Sequence, residues 1–222
     1  MNKIKIFTNH YYPENFRIND ISRSLGDYEV SVVTQTPNYP KGNFFPSYGI
    51  FKRRKECVEG VEVRRLPVIP RGHNSIMLAF NYLSYIVSSF FYARLTKEKS
   101  DHVLVYITSP IFISWAGLKY AQRNKVKSSL YLLDLWPGSL IAMLNIKNKR
   151  IIQHLEKMCI KIYNRFDNII VSSYGFIEVL ESYGIDKEKI HYLPQHAEEK
   201  PKDKLSYNFD SKVSRVVFTG NI

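Results

Sequence analysis

The sequence predicts an α/β domain built on a mostly parallel sheet covered by helices. Three observations predict it. Short runs rich in Val, Ile and Tyr alternate with longer helical stretches, several of those runs are apolar throughout, and the run ends carry polar residues or proline. The alternation places strands at Lys3 to Thr8, Glu29 to Thr34, Glu62 to Leu66, Val103 to Thr108, Ser128 to Leu133, Asn168 to Val171, Ile190 to Leu193 and Arg215 to Thr219. Runs such as Leu130 to Leu133 and Ile169 to Val171 have no polar alternation, as suits parallel strands covered on both faces.

The helical stretches follow in order. Asn9 to Asp20 reads as a turn leading into a helix, with His10 as a satisfied turn histidine. Ile76 to Ala93 carries no charge over 18 residues, just inside the range of about 17 to 25 for a bilayer span. Its Asn, Ser and Tyr content argues for a long helix that is partly core and partly membrane-facing, with Met77, Phe80, Leu83, Val87 and Phe91 on one side. Ile151, Leu155, Met158 and Ile162 recur at helical spacing and are expected to pack on the core.

Composition bounds the class. The 222 residues are 45% hydrophobic and 23% charged, which excludes disordered, collagen-like and coiled-coil chains. At roughly 150 residues per domain the length fits one large domain better than two. Its two cysteines, Cys57 and Cys159, form no CxxC pair, so neither a disulfide framework nor a cysteine metal site is expected, and a reduced cytoplasmic setting fits. No cleaved signal is expected at Met1 to Phe7. The formal charge of +12 is concentrated, because Lys119 to Arg165 holds ten basic residues against Asp134 and Glu156. Such a window suits anions: a diphosphate, an anionic membrane face or a nucleic acid. Nucleic acid is disfavoured, since the aromatic residues fall in core patterns and no recognition motif is present.

In open α/β sheets ligands bind beyond the carboxyl ends of the strands, so the residues there are the candidates. Asp134 stands out as the one carboxylate between Asp101 and Glu156, and it ends the apolar run Leu130 to Leu133. It suits a general base or an orienting carboxylate, although capping a helix is a common use of such an Asp. The turn after the first strand, with Arg17 near a helix start, could hold a phosphate. GxGxxG, GxxxxGK[ST], HExxH and GxSxG are all absent.

Taken in order, several motifs carry a resemblance. They are Tyr12-Pro13-Glu14-Asn15-Phe16-Arg17-Ile18-Asn19, Thr36-Pro37-Asn38-Tyr39-Pro40-Lys41-Gly42, Val63-Arg64-Arg65-Leu66-Pro67 with Arg71-Gly72, and Asn81-Tyr82-Leu83-Ser84. Thr108-Ser109-Pro110, Asp134-Leu135-Trp136-Pro137 and Leu193-Pro194-Gln195 complete the set. Together they resemble the N-terminal half of bacterial retaining glycosyltransferases of family 4, near the O-antigen and capsule enzymes of the N-acetylfucosamine transferase-like kind. The resemblance implies a GT-B architecture, in which two Rossmann-like domains face a cleft, the first binding mainly the acceptor and the second the nucleotide-sugar. It implies no metal and no cofactor. It puts Asp134 near the reacting sugar, as a base or an orienting group. It puts Asn15, Phe16 and Arg17 beside the donor diphosphate, with an Arg17 side-chain contact where relatives have a Gly-Gly pair, and Gly220 in the glycine turn of the second domain. Asn38, Tyr39, Arg71, Ser109 and Trp136 fall on the acceptor side.

The implied partners are a nucleotide-sugar donor, a lipid-diphosphate-linked sugar acceptor and an anionic membrane surface, at the cytoplasmic face of the cell membrane. The implied domains are an acceptor-binding domain over 1–196, a polar linker over 197–212 and, over 213–222, an orphan first strand of a donor domain. A Glu-x7-Glu donor motif is not present, so the chain alone is expected to be inactive unless a separate chain supplies the donor half. A nucleotide-sugar 2-epimerase-like half and a non-catalytic binding protein are the alternatives.

Overall fold

The computed structural model describes residues 1–195. In chain order they form β1 (Lys3–Thr8), α1 (Ile18–Ser24), β2 (Glu29–Gln35), β3 (Lys55–Val58), β4 (Val61–Leu66), α2 (Ser75–Leu95), β5 (His102–Ile107), α3 (Ser114–Asn124) and β6 (Lys127–Leu132). There follow α4 (Gly138–Leu144), α5 (Lys149–Tyr163), β7 (Asn168–Val171), α6 (Tyr174–Ser182) and β8 (Ile190–Tyr192). The expected strand at Arg215 to Thr219 and the linker lie outside the described residues.

The strands make one eight-stranded sheet in the order β3-β4-β2-β1-β5-β6-β7-β8. Every pairing is parallel except β3 with β4. The topology follows from crossover handedness: β1 to β2 and β5 to β6 step in opposite directions from the sheet centre, so their helices cover opposite faces. On one face α2, α3, α5 and α6 supply Tyr85, Ala116, Tyr120, Ile162, Tyr163 and Leu180 to a core with Phe7, Val105 and Leu130. On the other, α1 contributes Ile18 to a core with Ile6, Val32, Val63 and Tyr106. Each fully buried Phe, Ile or Leu contributes about 1.5–3 kcal/mol of transfer free energy, so the two layers hold the sheet between them.

Three features differ from expectation. The first is β3, an edge strand of two charged residues, Lys55 and Glu56, followed by Cys57 and Val58, which joins β4 through Glu59-Gly60, both at positive φ (49° and 85°). That is the backbone of a tight two-residue hairpin turn. The second is α5: of the expected stripe only Ile162 is buried, Ile151 is exposed, and the buried line is Cys159, Ile162 and Tyr163. The apolar side chains cover about one face, but the sheet meets only its C-terminal half.

The third concerns charge. β6 runs from Lys127 at one end of the sheet toward Asp134 at the other, about 20 Å away at the rise of a strand. Arg123, Lys125 and Lys127 therefore lie at the opposite end of the domain from Asp134, and the basic window does not surround that carboxylate. Arg123 instead donates to the carbonyl oxygens of Arg94 and Thr96 at the end of α2.

Candidate functional site

The parallel sheet brings the ends of β1, β2, β4, β5 and β6 to one edge of the domain, and the predicted residues gather there in two clusters. The first joins three strand ends. Asn9, buried after β1, receives a hydrogen bond from the Thr108 hydroxyl (3.3 Å) and donates to the Ser109 carbonyl (3.4 Å). The Trp136 indole N–H is shared between the Ser109 hydroxyl (3.2 Å) and Asp134 Oδ2 (3.0 Å).

Trp136 is itself fixed. Its backbone N–H donates to the Tyr163 hydroxyl (3.2 Å), which donates back to the Trp136 carbonyl (2.8 Å), and its ring meets Phe112 edge-on. Burial pushes the Tyr163 hydroxyl far above its ordinary range, so it stays a donor. Asp134 is thus held by an indole that the core immobilises, while the carboxylate remains partly exposed. Such an arrangement keeps one acceptor oxygen in place without removing it from solvent.

The second cluster is organised by Glu14. Its Oε1 accepts the backbone N–H groups of Asn38 and Tyr39 (both 2.7 Å), and its Oε2 lies 2.5 Å from His10 Nδ1. Because the carboxylate is acting as acceptor, Nδ1 is the donor. Phe16 stacks on the His10 ring at 4.4 Å, Tyr39 lies 5.3 Å from both rings, and the Arg71 guanidinium sits 5.1 Å over Tyr39. His10 is therefore buried and partnered.

The predicted residues occupy these clusters unequally. Asp134 and Ser109 both accept from Trp136 in the first, and Phe16, Tyr39 and Arg71 form a surface in the second. Asn38 is fully buried, with its side chain donating to the Thr36 carbonyl (2.8 Å) and accepting the Arg71 N–H (3.1 Å), so it places Arg71 through the backbone. Arg17 is ion-paired with Asp20 at 3.2 Å, and Asn15 is exposed beside it. The backbone N–H groups of Phe16, Asn19 and Asp20 already bond to the carbonyls of Glu14, Phe16 and Arg17. Gly220 lies outside the described residues.

Two glycines explain why the separated motifs sit together. Gly42 (φ +77°) donates to the Asn38 carbonyl and Gly72 (φ +60°) donates to the Gly42 carbonyl at 2.9 Å. A Cβ on Gly42 would lie 2.3 Å from the Gly72 carbonyl oxygen. The loop after β2 and the segment before α2 can cross so closely only as glycines.

Residue-level reading of the sequence missed Tyr82 and Glu14 as site residues. Burial pushes the Tyr82 hydroxyl upward, Arg71 opposes that, and Asp134 and Tyr39 add to it. Tyr82 therefore lies on α2 within electrostatic reach of both clusters. The signal was the Asn81-Tyr82 pair, in which an amide and a hydroxyl interrupt an apolar helix. Among the described residues, no three His, Cys, Asp or Glu side chains gather as a metal site.

No family model matches the sequence, and no curated protein sequence matches it. Solved structures do. UDP-N-acetylglucosamine 2-epimerase from Rickettsia bellii is 16% identical, with a TM-score of 0.48 over 86% of this chain and 44% of that one. Arabidopsis thaliana UGT89C1, solved with UDP, is 15% identical, with a TM-score of 0.46 over 86% of this chain and 51% of that one. Anabaena Alr3699/HepE, solved with UDP and glucose, is 12% identical, with a TM-score of 0.50 over 87% of this chain and 44% of that one. The chain thus spans less than half the length of the epimerase and of the Anabaena protein. At these identities the likeness is one of fold: the described residues have the α/β, Rossmann-like architecture of the N-terminal half of a GT-B protein.

Proposed function

We propose that this chain is the acceptor-side half of a retaining, nucleotide-sugar-dependent glycosyltransferase that acts on a lipid-diphosphate-linked sugar in cell-surface polysaccharide synthesis. The observation that supports it most is the Asp134 carboxylate, held by the Trp136 indole, which also donates to Ser109, where the strand ends of a GT-B half meet. The Anabaena neighbour was solved with UDP and glucose, which fits a nucleotide-sugar chemistry for the same fold.

In this reading the acceptor lies over Trp136, Ser109, Tyr39 and Arg71, with Asn38 setting Arg71 in place. Asp134 orients the acceptor hydroxyl toward the anomeric carbon. The acceptor oxygen forms its bond on the face from which the diphosphate leaves, the anomeric C–O bond to the diphosphate breaks, and the acceptor proton passes to a diphosphate oxygen. No metal is required by this chain, since the negative charge is met by Arg71 and by Arg17, which shares its guanidinium between Asp20 and the phosphate. Asn15, Phe16 and, in the second domain, Gly220 complete the donor side. The work is done at the cytoplasmic face of the membrane, where lipid-linked sugars are presented.

The test is transfer of a labelled sugar from nucleotide-sugars into the lipid phase of a membrane extract, with this chain supplied together with a donor half, since the chain by itself is expected to be inactive. Asp134→Asn should abolish the labelled lipid, and unchanged transfer by that variant would overturn the assignment. Epimerised nucleotide-sugar without any acceptor would favour the 2-epimerase-like alternative instead. Binding of the lipid-linked sugar without turnover would favour a non-catalytic binder.

A further inference from the structure

Helix α2 is inverted relative to an ordinary core helix. Its buried line, at successive turns, is Asn81, Tyr85, Ser89 and Ala93, while Phe80, Leu83, Val87, Phe91 and Leu95 are exposed. The polar side chains are inward because the protein supplies their partners. The Asn81 amide donates to the Ile69 carbonyl (2.7 Å), and the Tyr85 hydroxyl donates to the carbonyl oxygens of Thr8 (2.6 Å) and Val33 (3.2 Å). What is left outside is a row of large apolar side chains along a 21-residue helix. Its most apolar stretch has a mean hydropathy of 1.4, yet only 22% of it is buried. A scattered exposed Leu needs no explanation, whereas a contiguous apolar row of this length does.

Beside the C-terminal half of this row lies a groove of about 640 Å³. Phe91, Leu95 and Pro67 line it together with Arg54, Arg64 and Lys97. The cations have no carboxylate of their own among the described residues. Arg54 bonds to the carbonyl oxygens of Arg65 and Ile50, and Arg64 lies 6.0 Å from the Tyr92 ring. The one acid in the groove, Glu98, is taken up by Lys5 (2.9 Å) and the Tyr92 hydroxyl (2.7 Å). Partial burial and the neighbouring Arg64 both lower the affinity of Arg54 for its proton, the mark of positive charge that lacks a counter-ion.

We infer that this face docks on an anionic phospholipid bilayer, with Phe80, Leu83, Val87 and Phe91 entering the acyl boundary while Arg54, Arg64 and Lys97 meet head-group phosphates. Apolar side chains bordered by unpaired cations match the depth profile of such a surface. A second copy of the chain fits less well. A two-fold contact would bring both sets of cations into one interface with Glu98 already occupied. Because the N-terminal half of the same helix packs on the segment that carries Arg71, through Asn81 to the Ile69 carbonyl and Met77 against Gly72, docking would hold the strand-end surface beside the membrane. The inference deepens the membrane part of the proposed function and rests on it.

Flotation with vesicles, without nucleotide-sugar or acceptor, tests it. The chain should bind phosphatidylcholine vesicles that contain phosphatidylglycerol and not phosphatidylcholine alone, and added salt should release it. Arg54→Gln/Arg64→Gln/Lys97→Gln should weaken binding about 100-fold, at roughly five-fold per cation. Leu83→Ser/Phe91→Ser, at exposed positions, should also abolish it, while Lys157→Gln/Lys161→Gln/Arg165→Gln, on α5 and just after it, should not. Equal binding to both vesicle types, or equal loss in both triple variants, would overturn the inference. So would a dimer in sedimentation that the α2 substitutions dissociate. Since transfer is not read, loss of vesicle binding leaves the transfer reading standing, and failure of transfer leaves the docking result intact.

Discussion

The Trp136 indole N–H donates to Asp134 Oδ2 at 3.0 Å. This single contact ties the Asp134 carboxylate to the core, because Trp136 is fixed by Tyr163 on α5 and by Phe112. Trp136→Phe keeps the ring stacking and removes only the donor. A hydrogen bond to a charged group contributes about 1.5–3 kcal/mol, so transfer should fall about 10- to 100-fold in kcat with little change in KM for the nucleotide-sugar. Initial-rate kinetics measure this. A change confined to thermal stability would mean that Trp136 only packs.

Glu14 should prove to be the pin of the second cluster. Glu14→Ala leaves the Asn38 N–H, the Tyr39 N–H and His10 without their acceptor in a buried place. At about 1–3 kcal/mol for each unsatisfied group, the loss should reach about 3–5 kcal/mol. Glu14→Gln keeps a carbonyl oxygen for the two N–H groups and should cost about 1 kcal/mol. Urea unfolding of the two variants gives the order, and equal losses would show that the carboxylate's charge, not its geometry, matters.

Much of this architecture is legible in the sequence because parallel strands buried on both faces leave unbroken apolar runs such as Leu130 to Leu133. Their carboxyl ends then point to Asp134 and Ser109, while Trp136 as a site residue came only with the family resemblance. β3 was hidden because an edge strand bearing Lys55 and Glu56 needs no apolar run, and Glu59-Gly60 lacks the Asn or Asp that marks the strongest two-residue hairpin turns. The apolar side of α2 is readable, but which side is buried is decided by carbonyl groups at the ends of β1 and β2 that accept from Tyr85. The same limit applies to charge: Lys127 and Asp134 are close in sequence, and a strand puts them at opposite ends of the domain.

Gly42 and Gly60 make a matched pair for testing the close crossing of the two motif loops. Both have positive φ, but a Cβ on Gly60 meets open space, whereas one on Gly42 would strike the Gly72 backbone. Gly60→Ala should cost about 1 kcal/mol for the left-handed conformation alone. Gly42→Ala adds a steric clash that backbone must relieve, so about 3 kcal/mol or more is expected. Equal midpoints in urea for the two variants would mean that the crossing is loose.

His102 predicts how stability responds to acid. It begins β5, at the end of the sheet away from the site, and its Nε2 lies 2.9 Å from the Ser129 hydroxyl. Burial lowers its proton affinity below the ordinary histidine value, Lys127 lowers it further, and Asp167 opposes both. The folded chain therefore prefers the neutral ring. Above about pH 6.5, where the unfolded ring is also neutral, His102 imposes no penalty. As pH falls through that value the unfolded chain takes up the proton first, and stability declines until the folded ring is protonated as well. His102→Gln keeps a hydrogen-bonding group for Ser129 and removes the titration, so its Tm should fall less than that of the unchanged protein between about pH 8 and pH 5. Thermal melts across that window decide it: parallel curves for the two proteins would show that His102 has the same proton affinity in the folded and unfolded chains.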